Sequence, residues 1–264
     1  MIVSKIIGGL GNQMFQYAYA KNISLLNNTE LYLDTVFFGG EQDPLVASGV
    51  GHREFTLSKF PNLTMNLDIP ESLPNLHTLV DSWVFSSNDM PNDNYFIHGY
   101  WQSEKYFKES KDTIISEFSP NDKTIKKLTD KYPQINTNTV SMHIRRTDAL
   151  RSDFHPVQNI EYYKNALEIL GGYDNIFVFS DDISWCKDNM FFNNMIFVEG
   201  NSDIEDLWLM SLCKKNIIVN SSFSWWGAYL NRFVGKEVVA PTMWFGPSAG
   251  LNTSDIIPDE WHKL

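Results

Sequence analysis

The sequence predicts an α/β protein built from two parallel-sheet halves. Three observations predict it. After Pro133, strand-length apolar runs at 139–145, 175–179, 195–198, 217–219 and 237–240 are separated by helical patterns at 159–170, 183–190, 203–213 and 223–232. That alternation implies parallel strands joined by crossovers. At the amino end, residues 2–7 read as a short buried strand that runs through Gly8-Gly9-Leu10-Gly11 into helical spacing at Phe15, Ala18, Tyr19, Asn22 and Leu26. This is a first βα unit, with Asn12 as the expected N-cap. Finally, 264 residues, 43% of them apolar and 20% charged, suffice for one large domain or two of modest size, and no internal repeat or low-complexity tract interrupts them.

Residues 30–34 continue the amino half as a second strand. Gly39, Gly40, Pro44, Gly49, Gly51, Pro61, Pro70, Pro74 and Pro91 then make 37–94 loop-rich, and no element is placed there. A strand is expected at 95–100, a helix at 103–118, and a second helix at 120–132 closed by Pro133. The expected division is therefore 1–135 and 136–264.

Composition excludes several classes. A formal net charge of −11 repels nucleic acid and anionic lipid, which are gripped through clustered Lys and Arg. Cys186 and Cys213 form no metal-ligand spacing, so buried free thiols are expected. The N-terminus lacks the apolar core of a signal peptide and no run reaches transmembrane length, so a soluble cytoplasmic protein is expected. The 18 Phe, 11 Tyr and 8 Trp favour a packed interior and supply rings able to cover a pyranose face.

The segment Val140-Ser141-Met142-His143-Ile144-Arg145-Arg146-Thr147-Asp148 organises the chain. Period-two alternation sets His143 and Arg145 on one face, and Arg146 emerges where the strand should end. In open α/β sheets the carboxyl end of the strands is where ligands bind. Paired guanidinium forks suit phosphate, although surface ion pairing with nearby acids would explain them equally. Gly8–Gln13 offers a helix N-terminus to an anion, but counting from Gly9 puts Met14 where a dinucleotide fingerprint needs glycine, and a Walker sequence is absent. Asn220-Ser221-Ser222 ends a buried strand in hydroxyls and amides at a helix start, for phosphate or for plain capping; Trp225-Trp226 beyond it reads as packing. Ser202 and Glu205 fit a capping box, which leaves Asp206 unexplained; an ionised Asp could accept from guanine N–H groups. Asp181-Asp182 suit turn and cap duty at least as well as ligand contact. His98–Phe107 reads first as a core strand running into a capped helix, with rings and an amide that could line a ligand wall.

Four ordered segments resemble glycosyltransferase family 11, the α-1,2-fucosyltransferases. They are Gly-Gly-Leu-Gly-Asn-Gln-Met-Phe-Gln-Tyr at 8–17, Gly-Tyr-Trp-Gln-Ser-Glu-Lys-Tyr-Phe at 99–107, His-Ile-Arg-Arg-Thr-Asp at 143–148 and Asn-Ser-Ser-Phe-Ser-Trp-Trp-Gly-Ala at 220–228. The resemblance implies a GT-B fold, two Rossmann-like domains facing across a cleft, with the acceptor side at 1–135 and the GDP-sugar side at 136–264. It implies GDP-fucose as donor, a galactose-terminated glycan as acceptor, inversion at the anomeric carbon, no cofactor and no metal. It places His143, Arg145 and Arg146 on the donor's diphosphate and guanine, and Gly9, Gly11 and Asn12 beside the diphosphate–sugar region. Ser221 and Ser222 then hold phosphate, and Asp206 reads guanine. Thr147 stands where many relatives have Gly.

The chemistry asks for fixed donors at the leaving β-phosphate, a role given mainly to Arg145, and for a group that takes the proton of the acceptor's 2-hydroxyl. Asp148 is the first choice of base, with Asp153 and His155 as runners-up. Two rival readings are a GDP-sugar transferase with another sugar or linkage, and a non-catalytic nucleotide- or sugar-binding module. Acceptor recognition, expected in the amino half, and peripheral membrane contact are left open by the sequence.

Overall fold

A computed structural model describes residues 1–39, 53–72, 75–87, 94–151 and 153–264. The chain divides into two units, Met1–Phe118 with Ser254–Ile256, and Ser119–Thr253 with Ile257–Leu264. Each contains a parallel sheet.

In the first unit, β1 (Ile2–Lys5), β2 (Leu31–Asp34), β3 (His77–Val80) and β4 (Tyr95–His98) lie in the order β2-β1-β4-β3, all in parallel pairs. Helix α1 (Leu10–Leu26) connects β1 to β2. Met14, Phe15, Tyr17, Ala18, Ala20 and Ile23 are buried on it, and so are Gln13 and Gln16. Gln13 is matched to backbone through both ends of its amide, and Gln16 through its oxygen while its Nε2 is buried without a partner. Gln13 Nε2 donates to the Gly8 and Glu54 carbonyls and its Oε1 accepts from the Thr56 N–H, while Gln16 Oε1 accepts from the Ile7 N–H at 2.9 Å.

Two expectations for this unit change. Strand β3 falls inside the stretch where no element was placed. It is an edge strand paired only with β4, three of its four residues are exposed, and without a buried face it carries no period-two signal. The single helix expected at 103–118 is a 3₁₀ stretch, Glu104–Ser110, kinked at Phe107, which is out of helical conformation, and followed by α2 (Lys111–Phe118). Gly40, Pro44, Gly49, Gly51, Pro74 and Pro91 lie outside the described residues.

The second unit begins earlier than residue 136. Helix α3 (Asp122–Lys131), capped by Asn121, belongs to it. Lys127 Nζ meets Glu205 at 2.5 Å, Lys131 Nζ reaches the Gly200 carbonyl at 3.2 Å, and the Tyr132 ring stands edge-on to Phe177. These contacts carry the division to 118/119. Then follow β5 (Thr139–Ile144), α4 (Ile160–Leu170), β6 (Asn175–Ser180), α5 (Ile183–Asn189), β7 (Met195–Phe197), α6 (Asp203–Ser211), β8 (Lys215–Ile217), α7 (Ser222–Tyr229), β9 (Glu237–Ala240) and β10 (His262–Lys263). The sheet order is β10-β9-β8-β5-β6-β7, parallel throughout. The expected β-α alternation is present, and β10 is an addition too short to carry a pattern.

β5 is central and buried on both faces. Val140, Met142 and Ile144 join Tyr163, Ala166 and Leu170 of α4 and Ile176, Val178 and Ile217 in one apolar cluster. The alternate residues are polar. Ser141 Oγ accepts from Asn216 Nδ2 at 2.7 Å, and Asn216 Oδ1 accepts from Asn231 Nδ2 at 2.7 Å. Trp225 and Trp226 are fully buried, Trp225 stacked on Tyr229 at 4.5 Å, which makes the pair packing as expected. Cys186 and Cys213 are buried free thiols.

Helices α6 and α7 pack closely because Gly227 has no side chain. A Cβ there would stand 2.8 Å from Met210 Sδ and 2.9 Å from Met210 Cβ. Gly227→Val should therefore destabilise the fold by about 1–3 kcal/mol, the usual cost of overpacking. Urea unfolding measures it, and adding Met210→Ala should restore part of the loss.

Candidate active site

The site is built where β5 ends. His143, the next-to-last strand residue, is 9% exposed, and its Nδ1 is buried with no hydrogen-bond partner. Burial pulls its pKa down to about 4, with the Arg145 charge acting the same way and Asp181 opposing. It is a neutral imidazole at physiological pH.

Arg145 and Arg146 follow the strand, and both guanidinium groups are fixed by partners. Asp148 grips Arg145 in a two-pronged pair, Nε to Oδ1 at 3.0 Å and Nη2 to Oδ2 at 2.6 Å. Arg145 Nη1 also donates to the Asn220 carbonyl at 3.3 Å, which ties the end of β5 to the turn between β8 and α7. The Arg146 guanidinium lies 3.6 Å from the centre of the Trp185 ring, and its Nε donates to Asp182 at 3.3 Å. Asp181 holds the backbone beneath, accepting from the N–H groups of Arg146 and Thr147 and from the Thr147 hydroxyl at 2.6 Å. Thr147 thus has a structural part of its own. Asp182 also caps α5 through the Trp185 N–H. The turn and cap duties expected of both acids are present.

Across the sheet, Ser221 occupies the N-cap of α7 but its side chain makes no capping bond. Ser222 opens the helix, and Asn220 Nδ2 beside it is buried without a partner. Buried polar atoms left unmatched call for an explanation, and two of them, on His143 and Asn220, flank Arg145. Asp206 sits in the first turn of α6, where Asn201 Nδ2 donates to it at 2.8 Å. Burial raises its pKa to about 6, against the opposing Asn201 bond. The Ser202–Glu205 capping box is formed, and Lys127 holds Glu205 down at about 2.

Gly9, Gly11 and Asn12 lie in the first unit. The helix begins earlier than expected, with Gly9 rather than Asn12 at the N-cap. Asn12 is already inside the first turn, where its Oδ1 accepts from Gln102 Nε2 at 2.8 Å. Arg53 lies alongside, its Nη1 3.7 Å from where a Cβ on Gly9 would stand.

The three bases weighed from the sequence differ sharply. Both oxygens of Asp148 are engaged by Arg145. Asp153 is exposed, and its carbonyl packs on Gly246, where a Cβ would come within 2.0 Å. His155 is held between Phe154 and Phe245, with ring centres at 5.0 and 5.5 Å, and its Nδ1 is buried and unpartnered. Its pKa falls to about 4, through burial first and Arg145 second, with Asp148 opposing. Trp185, Asn201 and the Asn220 amide were not singled out from the sequence. Trp185 had a signal, an aromatic three residues beyond an acidic N-cap. Among the described residues, no three His, Cys, Asp or Glu side chains are placed to hold a metal ion, and no helix is long and apolar enough to cross a membrane.

An α/β chain with parallel sheets and fixed guanidinium, imidazole and amide donors at a strand end has the layout of a sugar-transfer enzyme. Residues 56–263 match the family described as glycosyl transferase family 11, and the chain belongs to that family. Among curated proteins it is 35% identical over 293 residues to an alpha-1,2-colitosyltransferase of Escherichia coli, covering 100% of this chain and 99% of that one. It is 32% identical over 308 residues to the O-antigen biosynthesis glycosyltransferase WbnK of Escherichia coli, covering 99% of each. Its fold is similar to solved structures of the alpha-1,6-fucosyltransferase NodZ. One, co-crystallized with GDP, superposes with a TM-score of 0.51 at 11% identity over 86% of this chain and 90% of that one. NodZ from Bradyrhizobium gives 0.51 at 12% identity, over 86% and 91%.

A His kept neutral by burial makes stability depend on pH. The pKa of His143 is lowered in the folded chain, so its contribution is complete above about 6.5 and is lost as pH falls toward about 4, where the unfolded chain binds the extra proton. Unfolding free energy measured across that window should fall less steeply in His143→Gln than in the parent chain. Identical slopes would remove His143 from the balance.

Proposed function

We propose that the chain transfers L-fucose from GDP-fucose to the 2-hydroxyl of a β-galactoside, with inversion and without a metal, in the synthesis of an O-antigen-type surface glycan. The observation that carries this is Arg145, fixed at once by Asp148 and by the Asn220 carbonyl, between unmatched polar atoms of His143 and Asn220. Three of its five N–H donors are committed, and the others are available to an oxyanion. Charge that develops on the β-phosphate of a departing GDP would meet donors already in place, which is where such sites gain most of their rate. Arg146, flattened on Trp185, and the Ser221–Ser222 segment supply further donors. Asp206 takes the guanine N–H groups. In this reading Gly9, Gly11 and Asn12 of the first unit contact the donor's sugar.

Asp148 then serves to hold the guanidinium plane, and the acceptor's proton passes to His155, a neutral imidazole. A base of pKa about 4 is weak, which suits an oxocarbenium-like transition state with late proton loss. A second reading changes only the sugar. The colitosyltransferase relative favours transfer of colitose with the same 1,2-linkage.

Incubation with GDP-fucose or GDP-colitose and a panel of β-galactosides, followed by linkage analysis, separates the two; turnover with neither removes both. Arg145→Ala should lower kcat by roughly 10²–10³, the usual loss for one donor to a developing oxyanion, while circular dichroism is unchanged. Chelation by EDTA should leave the rate as it was. Guanine recognition by an ionised Asp206 requires pH above about 6, so GDP affinity should weaken more steeply from about pH 7 to 5 in the parent chain than in Asp206→Asn, whose amide does not titrate. Calorimetry measures both, and the difference between them removes the titration of the phosphate itself.

A further inference from the structure

We propose that Trp83 and Tyr100 form a hexose-binding wall in the first unit, against which the apolar face of the acceptor galactoside stacks. The identity of the sugar rests on the function proposed above; the wall rests on local geometry.

Trp83 and Tyr100 follow the carboxyl ends of the paired strands β3 and β4, the end where α/β sheets present ligand contacts. One carboxylate organises both turns. Asp81 Oδ1 accepts from the Trp83 N–H at 2.9 Å, and its Oδ2 accepts from the N–H groups of Tyr100 at 3.2 Å and Trp101 at 2.8 Å. The strands come so close here that a Cβ on Gly99 would stand 2.2 Å from Asp81 Cβ.

Both tryptophans are held left-handed, Trp83 at φ 59° and Trp101 at φ 53°. For a bulky residue that is strained backbone, which concentrates at functional sites. At Trp101 packing accounts for it: the residue is 5% exposed, tilted against Tyr19 at 4.3 Å and edge-on to Tyr106 at 5.2 Å. Trp83 is half-buried, and the Asp81 carboxylate holds its N–H in the turn. A glycine would take that conformation without cost. What tryptophan adds is its ring, set 5.6 Å from the half-buried ring of Tyr100 at an interplanar angle of 40°. Two partly exposed rings opened at that angle present C–H-binding surface to a pyranose. Galactose, whose axial 4-hydroxyl leaves one face of its ring apolar, has the matching shape.

Trp83→Gly separates a binding role from a structural one. The substitution relieves the strain and removes the ring, so the melting temperature should hold or rise. Lactose and N-acetyllactosamine, followed by saturation-transfer NMR, should bind at least about tenfold more weakly, in the range of a lost aromatic anchor. Trp83→Phe should recover much of that binding, and Tyr100→Ala should weaken it independently. GDP affinity by calorimetry should be the same in all four proteins. Undiminished disaccharide binding in Trp83→Gly, or a parent chain that binds neither disaccharide, overturns the wall. A chain that binds the disaccharides through Trp83 but has no affinity for GDP overturns the donor reading and leaves the wall standing.

Discussion

The second unit depends on the fork between Arg145 and Asp148. A guanidinium brought out of water at a strand end is costly unless its N–H groups are matched. Asp148 takes one edge, and the Asn220 carbonyl takes a further N–H from a neighbouring turn. The same contacts fasten the loop after β5 to the start of α7. Arg146 is settled differently, its face on Trp185 and its edge on Asp182. Asp148, Asp181 and Asp182 together outnumber the two arginines. The region is therefore not a simple basic patch within an acidic protein. What it holds is a set of guanidinium groups fixed in direction by named partners.

Keeping those donors aimed is the work of β5, whose two faces have opposite tasks. Val140, Met142 and Ile144 lock one face into the apolar cluster. Ser141 accepts from Asn216 in the Asn216–Asn231 chain of hydrogen bonds, while the His143 imidazole lies against the Phe223 ring with its Nδ1 buried and unpartnered. Hydrogen bonding runs out at His143 and Asn220, next to Arg145.

The second half of the fold was legible because β5, β6 and β9 carry apolar runs and helices alternate with strands from β5 to β9. The first half was less so. β3 is exposed at a sheet edge and leaves no periodic trace, and the stretch 103–118 reads as one helix although Phe107 breaks it. Arg145, Arg146, Ser221 and Asp206 could be named from residue type and place at element ends. What each would be doing could not, because a partner thirty or seventy residues away decides it. Asp148 illustrates this: as sequence it is a free carboxylate just past a strand, and folded it belongs to Arg145. Arg146 meets a ring, Trp185, whose place three residues beyond an acidic N-cap was its one signal. The strain at Trp83 had no sequence signal at all, since φ is set by Asp81 pulling on a turn whose other strand lies some twenty residues away.

Helix capping shows the same division of labour from another side. Asn121, Asn159, Asp182 and Ser202 each cap their own helix with a side chain. Two helix starts lack such a bond, α1 at Gly9 and α7 at Ser221. A cap is worth about 1 kcal/mol, and neither α1 nor α7 has one from its N-cap side chain. They are the two glycine- and serine-bearing segments whose composition already suggested anion contact. At Gly9 no side chain exists to cap the helix, and at Ser221 the side chain makes no capping bond.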